Sequence, residues 1–197
     1  MKMKTGKVVL VVLLTALVGL MINPAQADSV MPPTVSPQEG GTYFTRMTFH
    51  HEKDVHQATN FSRGAVWPIN TEVRLVSKTD RRHGRLVLER LDNGHQVTIQ
   101  NVPRHTDISI DELASRMLAD RPTPIEQFPD DVQRAIRAGD LRMGMTKEQA
   151  LMARGYPPTV HTAYPMDSDT WVYQENRFAQ RTIVFEDGRI VEGRGLR

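Results

Sequence analysis

LRMGMTKEQALMARGYP, residues 141–157, decides how the second half of the chain folds. Thr146 and Gln149 have the spacing of a capping box: the Thr hydroxyl accepts from a backbone N–H, and the Gln side chain reaches back to the N-cap. Gly144 allows a positive φ before the helix. Gly155 offers a left-handed stop after it, and Pro157 forbids continuation. The spacing therefore predicts a short helix over residues 147–154, closed at both ends. Downstream of it, residues 159–164, 170–174 and 180–186 read as strands, with a return over 189–192. Asp187-Gly188 is a two-residue hairpin signal. Trp171 and Tyr173, two apart, belong on one buried strand face.

Upstream, residues 130–138 form a helix with Asp130 as N-cap, an inward face of Val132, Ala135 and Ile136, and Gly139 as its end. Two helices followed by an antiparallel meander make an α+β layer over residues 130–197. Three prolines in residues 121–129 mark a proline-rich linker. Before it, residues 42–120 read as a β-rich domain with a terminal helix. Strands are expected at 42–50, 72–77, 85–91 and 95–102, with a hairpin turn at Asp92-Asn93-Gly94. Ser109 and Glu112 start a helix whose Ile110, Leu113, Ala114 and Met117 share a face. The close strand spacing points to a small, strongly bent sheet of the SH3-like kind. Residues 28–41, with Pro32, Pro33, Pro37 and Gly40-Gly41, read as a flexible leader.

Residues 1–27 have the pattern of a secretory signal: Lys2, Lys4 and Lys7, an apolar run over 8–22, and Ala25-Gln26-Ala27 as the cleavage site. The apolar run is shorter than the roughly 20 residues a membrane span needs, so cleavage is expected, with an inner-membrane anchor as the alternative. The chain has 25 Lys+Arg and 23 Asp+Glu. Removing the three signal lysines leaves 22 against 23, so charge gives no argument for nucleic acid. Cysteine is absent, which excludes disulfides, thiol nucleophiles and a lipid anchor on an N-terminal Cys.

The run Gly144-Met145-Thr146, Gln149, Gly155-x-Pro157, Trp171-x-Tyr173 and Phe185-x-x-Gly188 resembles the SmpA/OmlA family, the domain of BamE-like outer-membrane assembly lipoproteins. The resemblance covers about the last third of the chain and departs at Arg154, where the family usually carries Leu. It implies two helices and three strands, a periplasmic or cell-envelope location, and a protein-binding role linked to outer-membrane protein assembly.

Catalytic and metal motifs are mostly absent from the sequence. Seven histidines are present. His50 and His51 are adjacent on a strand and so point to opposite faces, and no H-E-x-x-H occurs. There is no G-x-S-x-G and no phosphate loop. Neither a catalytic residue, a cofactor nor a metal ligand is expected. Arg81-Arg82-His83 reads as a solvated hairpin tip. The binding residues expected are Arg177, Phe178 and Arg181, at an exposed stretch between two strands that a partner can pair with. The reading is a non-catalytic envelope protein that binds another envelope protein and reaches the outer membrane through it. Peptidoglycan binding and a histidine-dependent metal enzyme are the alternatives.

Overall fold

The computed structural model describes residues 29–196. The expected signal over residues 1–27 lies outside them. Among the described residues no helix is long and apolar enough to cross a membrane.

The chain is a mixed α+β protein with a curled multi-stranded sheet and few helices. In chain order the first half contains β1 (Thr42–Thr45), β2 (Phe49–His51), β3 (Val55–Gln57), β4 (Ala65–Trp67), β5 (Glu72–Thr79), β6 (Arg85–Arg90), β7 (Gln96–Gln100), α1 (Pro103–Thr106), α2 (Ile110–Met117) and β8 (Leu118–Ala119). Six of these strands form one sheet in the order β3-β7-β6-β5-β1-β8, and β2 pairs with β4 separately. Alternation puts Val73, Leu75, Leu86, Leu88, Val97 and Ile99 inward, all fully buried. Helix α2 covers them with Ile110, Leu113, Ala114 and Met117. Ser109 caps it by accepting from the Glu112 N–H at 3.1 Å.

The second half contains α3 (Asp130–Ala138), α4 (Lys147–Arg154), β9 (Thr170–Asn176), β10 (Ala179–Glu186) and β11 (Arg189–Gly193). The strands form an antiparallel meander in the order β11-β10-β9. Trp171, Tyr173, Ile183, Phe185 and Ile190 face the two helices in a second core. Both halves of the capping box are made: Gln149 N donates to Thr146 Oγ1 at 3.2 Å, and Thr146 N donates to Gln149 Oε1 at 2.9 Å. Asp187 and Gly188, at φ 49° and 73°, form the expected two-residue turn.

Several expectations are corrected. The predicted strand over 42–50 breaks at Arg46–Thr48, where the chain turns inward to meet the second half. Residues 51–71, where no strand is expected, contain β3, which pairs in parallel with β7, and β4, which pairs with β2. Residues 159–164 are a turn instead of a strand: His161 N and Thr162 N both donate to the Pro158 carbonyl, at 2.9 and 3.0 Å, and the Pro157-Pro158 pair withholds N–H groups from any ladder. The N-cap of α3 is Pro129, and Asp130 is the first helical residue. The leader lies against both halves. Arg46 Nη1 donates to the Pro33 carbonyl at 2.9 Å, Gly40 N to Leu75 O at 2.8 Å, and Val30 and Met31 pack on the second core. The proline-rich stretch 121–129 is packed as well. Asn70 and Thr123 exchange two 2.8 Å hydrogen bonds, and Ile125 is buried in the second core.

The two cores meet along a polar seam. Thr48 N donates to Met152 O at 2.8 Å, and Thr48 Oγ1 donates to Ile136 O at 2.6 Å. Asn60 Nδ2 donates to Tyr156 O at 2.6 Å. Gly155 sits at the seam with φ +70° and ψ −170°, a region outside the left-handed helical well that only glycine enters freely. A Cβ there would lie 2.3 Å from Met47 Sδ of the first half.

Gly144 also has positive φ, +80°, but open space around it. Gly144→Ala is therefore expected to cost about 1 kcal/mol of backbone strain, and Thr146→Ala about 1 kcal/mol of lost cap. Gly155→Ala is expected to cost clearly more than either, because strain and overlap with Met47 add. Urea unfolding midpoints check the order; Gly155→Ala no worse than Gly144→Ala would contradict the seam contact.

Candidate functional site

Both halves line a cleft of about 380 Å³. The first half contributes Gln57 at the end of β3, Thr59 and Phe61 just after it, and Arg104 and His105 in α1. The second half contributes Pro158 and His161 from the turn, Gln174 from β9, and Arg177 from the β9–β10 hairpin. The cleft walls are tied across the seam: Val160 N donates to His105 O at 3.2 Å, Thr159 Oγ1 donates to Thr106 O, and Ser62 Oγ donates to Glu175 Oε2 at 2.9 Å. A second, shallower cleft of about 630 Å³ adjoins it through Val102 and Arg104, and is lined by Arg82, His83 and Arg85.

No acidic side chain lines either cleft. Among the described residues Arg82, Arg85, Arg104 and Arg177 form no ion pair. Like charges lining a concave surface focus a positive potential there, which draws anionic groups. The hairpin tip adds an apolar contact: Phe178 is 89% exposed, with the Arg177 guanidinium 5.8 Å from its ring centre.

The expected binding residues separate. Arg177 lines the cleft, and Phe178 beside it in the chain is exposed at the β9–β10 hairpin. Arg181 turns away to Glu175, 3.3 Å distant, where Arg154 also reaches at 3.4 Å. Arg154 is buried, 5.2 Å over the Tyr173 ring. The motif residues are structural. Tyr173 Oη donates to Gly155 O at 2.9 Å, Trp171 Nε1 to Pro165 O at 2.6 Å, and the Trp171 and Phe185 rings lie 4.6 Å apart. Pro157 is buried beside Gly155.

Sequence reasoning missed Arg85, Arg104, His105 and His161 as members of one surface. No spacing rule joins the β5–β6 tip, α1 and the turn at 158–161, so nothing local in the sequence marks them as one surface. Sequence reasoning also missed a convergence of His51, Asp54 and His95, whose side-chain donor atoms all lie within 4.8 Å of one another. His50 points elsewhere, toward Gly139 at the seam, as adjacent strand residues must.

Burial lowers the pKa of three first-half histidines, His50, His51 and His56. Burial lowers His50, with the nearby Arg154 charge acting in the same direction. His51 is lowered chiefly by burial, against the raising effect of Asp54. His56, fully buried, is pushed down to about 4, partly opposed by its 2.8 Å hydrogen bond to the His50 carbonyl. Among the described residues no Ser or Thr hydroxyl is hydrogen-bonded to a histidine ring, so no nucleophile–base pair of that kind is assembled. Comparisons with protein-family models, with characterised proteins and with solved structures found no match.

The His56 shift has a signed consequence. Above its ordinary value of 6.5 the ring is neutral folded and unfolded, and stability is unaffected. Between 6.5 and about 4 only the unfolded chain takes the proton, so stability falls as pH falls. The loss approaches ~1.4 kcal/mol per pH unit, about 3 kcal/mol over the window. Urea unfolding from pH 7.5 to 4.5 should show a steeper acid loss in the native protein than in His56→Gln. Parallel profiles would contradict a neutral buried ring.

Proposed function

We propose that this is a non-catalytic binding protein of the cell envelope, whose second half is a BamE-like module and whose first half is SH3-like. In this reading the basic cleft and the Phe178 tip together receive an acidic segment of a partner protein. The observation that carries it is an arginine-lined cleft between the halves, with no acidic lining residue, together with the exposed Phe178 side chain next in the chain to the cleft residue Arg177. Aromatic and Arg anchors are where binding energy concentrates, and steering by complementary charge raises encounter rates. Two helices followed by a three-stranded meander are what the SmpA/OmlA resemblance predicts, which supports the module assignment. The envelope location rests on the export pattern in residues 1–27. Through its partner the protein would act at the outer membrane, in protein assembly or envelope integrity.

The test is site-specific cross-linking from position 178 in cells, followed by pull-down of the captured partner with purified variants. Phe178→Ala and Arg104→Glu are expected to weaken capture at unchanged melting temperature, with capture by the native protein falling as salt rises. Trp171→Ala is expected to lower stability by about 3–5 kcal/mol. Undiminished capture by both surface variants would contradict the assignment. Retention on purified peptidoglycan with no protein partner would favour a cell-wall ligand.

A further inference from the structure

The convergence of His51, Asp54 and His95 lies away from the basic cleft, at the other end of β3, and two segments build it: β2 and the turn after it carry His51 and Asp54, and the residue before β7 is His95. His51 ends β2. A tight turn comes next, with Lys53 and Asp54 at φ 51° and 58°, closed by reciprocal 3.0 Å hydrogen bonds between Glu52 and Val55. Two consecutive left-handed residues are the geometry of a hairpin turn that favours Asn and Gly, so Lys-Asp here holds strain of the kind that gathers at functional sites. The turn carries Asp54 back beside His51, and Thr98 N donating to Asp54 O at 2.9 Å pins it to β7. His95 stands immediately before β7 and brings the third side chain in.

His95 Nε2 is 2.8 Å from Asp54 Oδ1, and His51 Nδ1 is 3.7 Å from the same oxygen. A tetrahedral ion with bonds of about 2.0–2.1 Å holds its ligand atoms about 3.3–3.5 Å apart, so small ring rotations bring all three into place. Trp67 packs against both imidazoles, 6.0 Å from His51 and 5.7 Å from His95 between ring centres, and fixes their planes. His51 is 5% exposed, and its Nδ1 is buried with no hydrogen-bond partner. A surface ion pair between His95 and Asp54 is worth little and leaves that nitrogen unaccounted for.

We propose that His51, Asp54 and His95 form a binding site for a divalent transition-metal ion of the zinc class. Two imidazoles and one carboxylate suit zinc, nickel or copper; calcium and magnesium prefer oxygen ligands throughout. Asp54 and His95 are 62% and 40% exposed, so an ion enters from solvent and water completes its coordination. The site has the open form of three protein ligands plus water.

The test is zinc titration of the chelator-stripped, purified protein against a chromophoric chelator, with cobalt absorption reporting the coordination geometry. One tightly held zinc per chain is expected. Asp54→Asn and His95→Gln change exposed side chains and should keep the native melting temperature without metal. Each should weaken zinc by more than the ~10–100-fold that loss of a mere outer-shell partner costs. His51→Gln should do the same, while His83→Gln, at the exposed β5–β6 tip, should bind like the native protein. Equal affinity of the native protein and the Asp54 and His95 variants would overturn the proposal. So would the absence of stoichiometric binding, or an equal loss in His83→Gln.

Discussion

The hydroxyl of Thr48 is the point on which the two halves turn. It donates to the Ile136 carbonyl at 2.6 Å and accepts from Ile69 N at 2.9 Å, while the Thr48 N–H donates to Met152 O at 2.8 Å. The residue is 1% exposed. One side chain thus satisfies a carbonyl at the end of α3 and the backbone of the segment that carries Ile69 into the second core. The break between β1 and β2 exists to bring it there. A continuous strand would have paired the Thr48 N–H within a sheet and left the ends of both helices without these partners.

What depends on that seam is large. Each half has a core of modest size, and domains of about 60–80 residues are marginal alone. Joined, they share Ile69, the Met47–Gly155 contact and the Arg116 guanidinium stacked 4.4 Å over the Tyr156 ring. The leader crosses the junction and docks on both sides. The arginine-lined cleft exists only because the seam holds α1 of the first half beside the proline turn and the β9–β10 hairpin of the second.

Elements that depend on neighbours within four residues were legible in the sequence. The Thr146–Gln149 box, the Ser109 cap, the Asp187-Gly188 turn and the buried Trp171–Tyr173 face all follow from local spacing. Residues 159–164 read as a strand only while the Pro157-Pro158 pair before them is given too little weight. The leader and the proline-rich stretch look unstructured by composition. They are ordered by long-range partners, Arg46, Leu75 and Asn70, that composition does not reveal. The site residues divide the same way. Phe178 was legible because it is the one apolar residue in a polar turn. The cleft and the His51–Asp54–His95 group join residues from distant strands, and no spacing rule reaches that far. Arg154, buried in α4, is placed by Glu175 and the Tyr173 ring, also across the fold.

The two halves fold as one unit through the Thr48 seam, and the two tryptophans can test this directly. Trp67 lies in the first core and Trp171 in the second, each fully buried. Single-tryptophan variants, Trp171→Phe and Trp67→Phe, therefore report each half separately by fluorescence. Urea unfolding observed through each should give a transition coincident with far-UV circular dichroism of the same variant, and adding Thr48→Val should lower both midpoints together. A fluorescence transition that separates from the circular dichroism of its own variant, or a Thr48→Val shift confined to one half, would contradict folding as one unit.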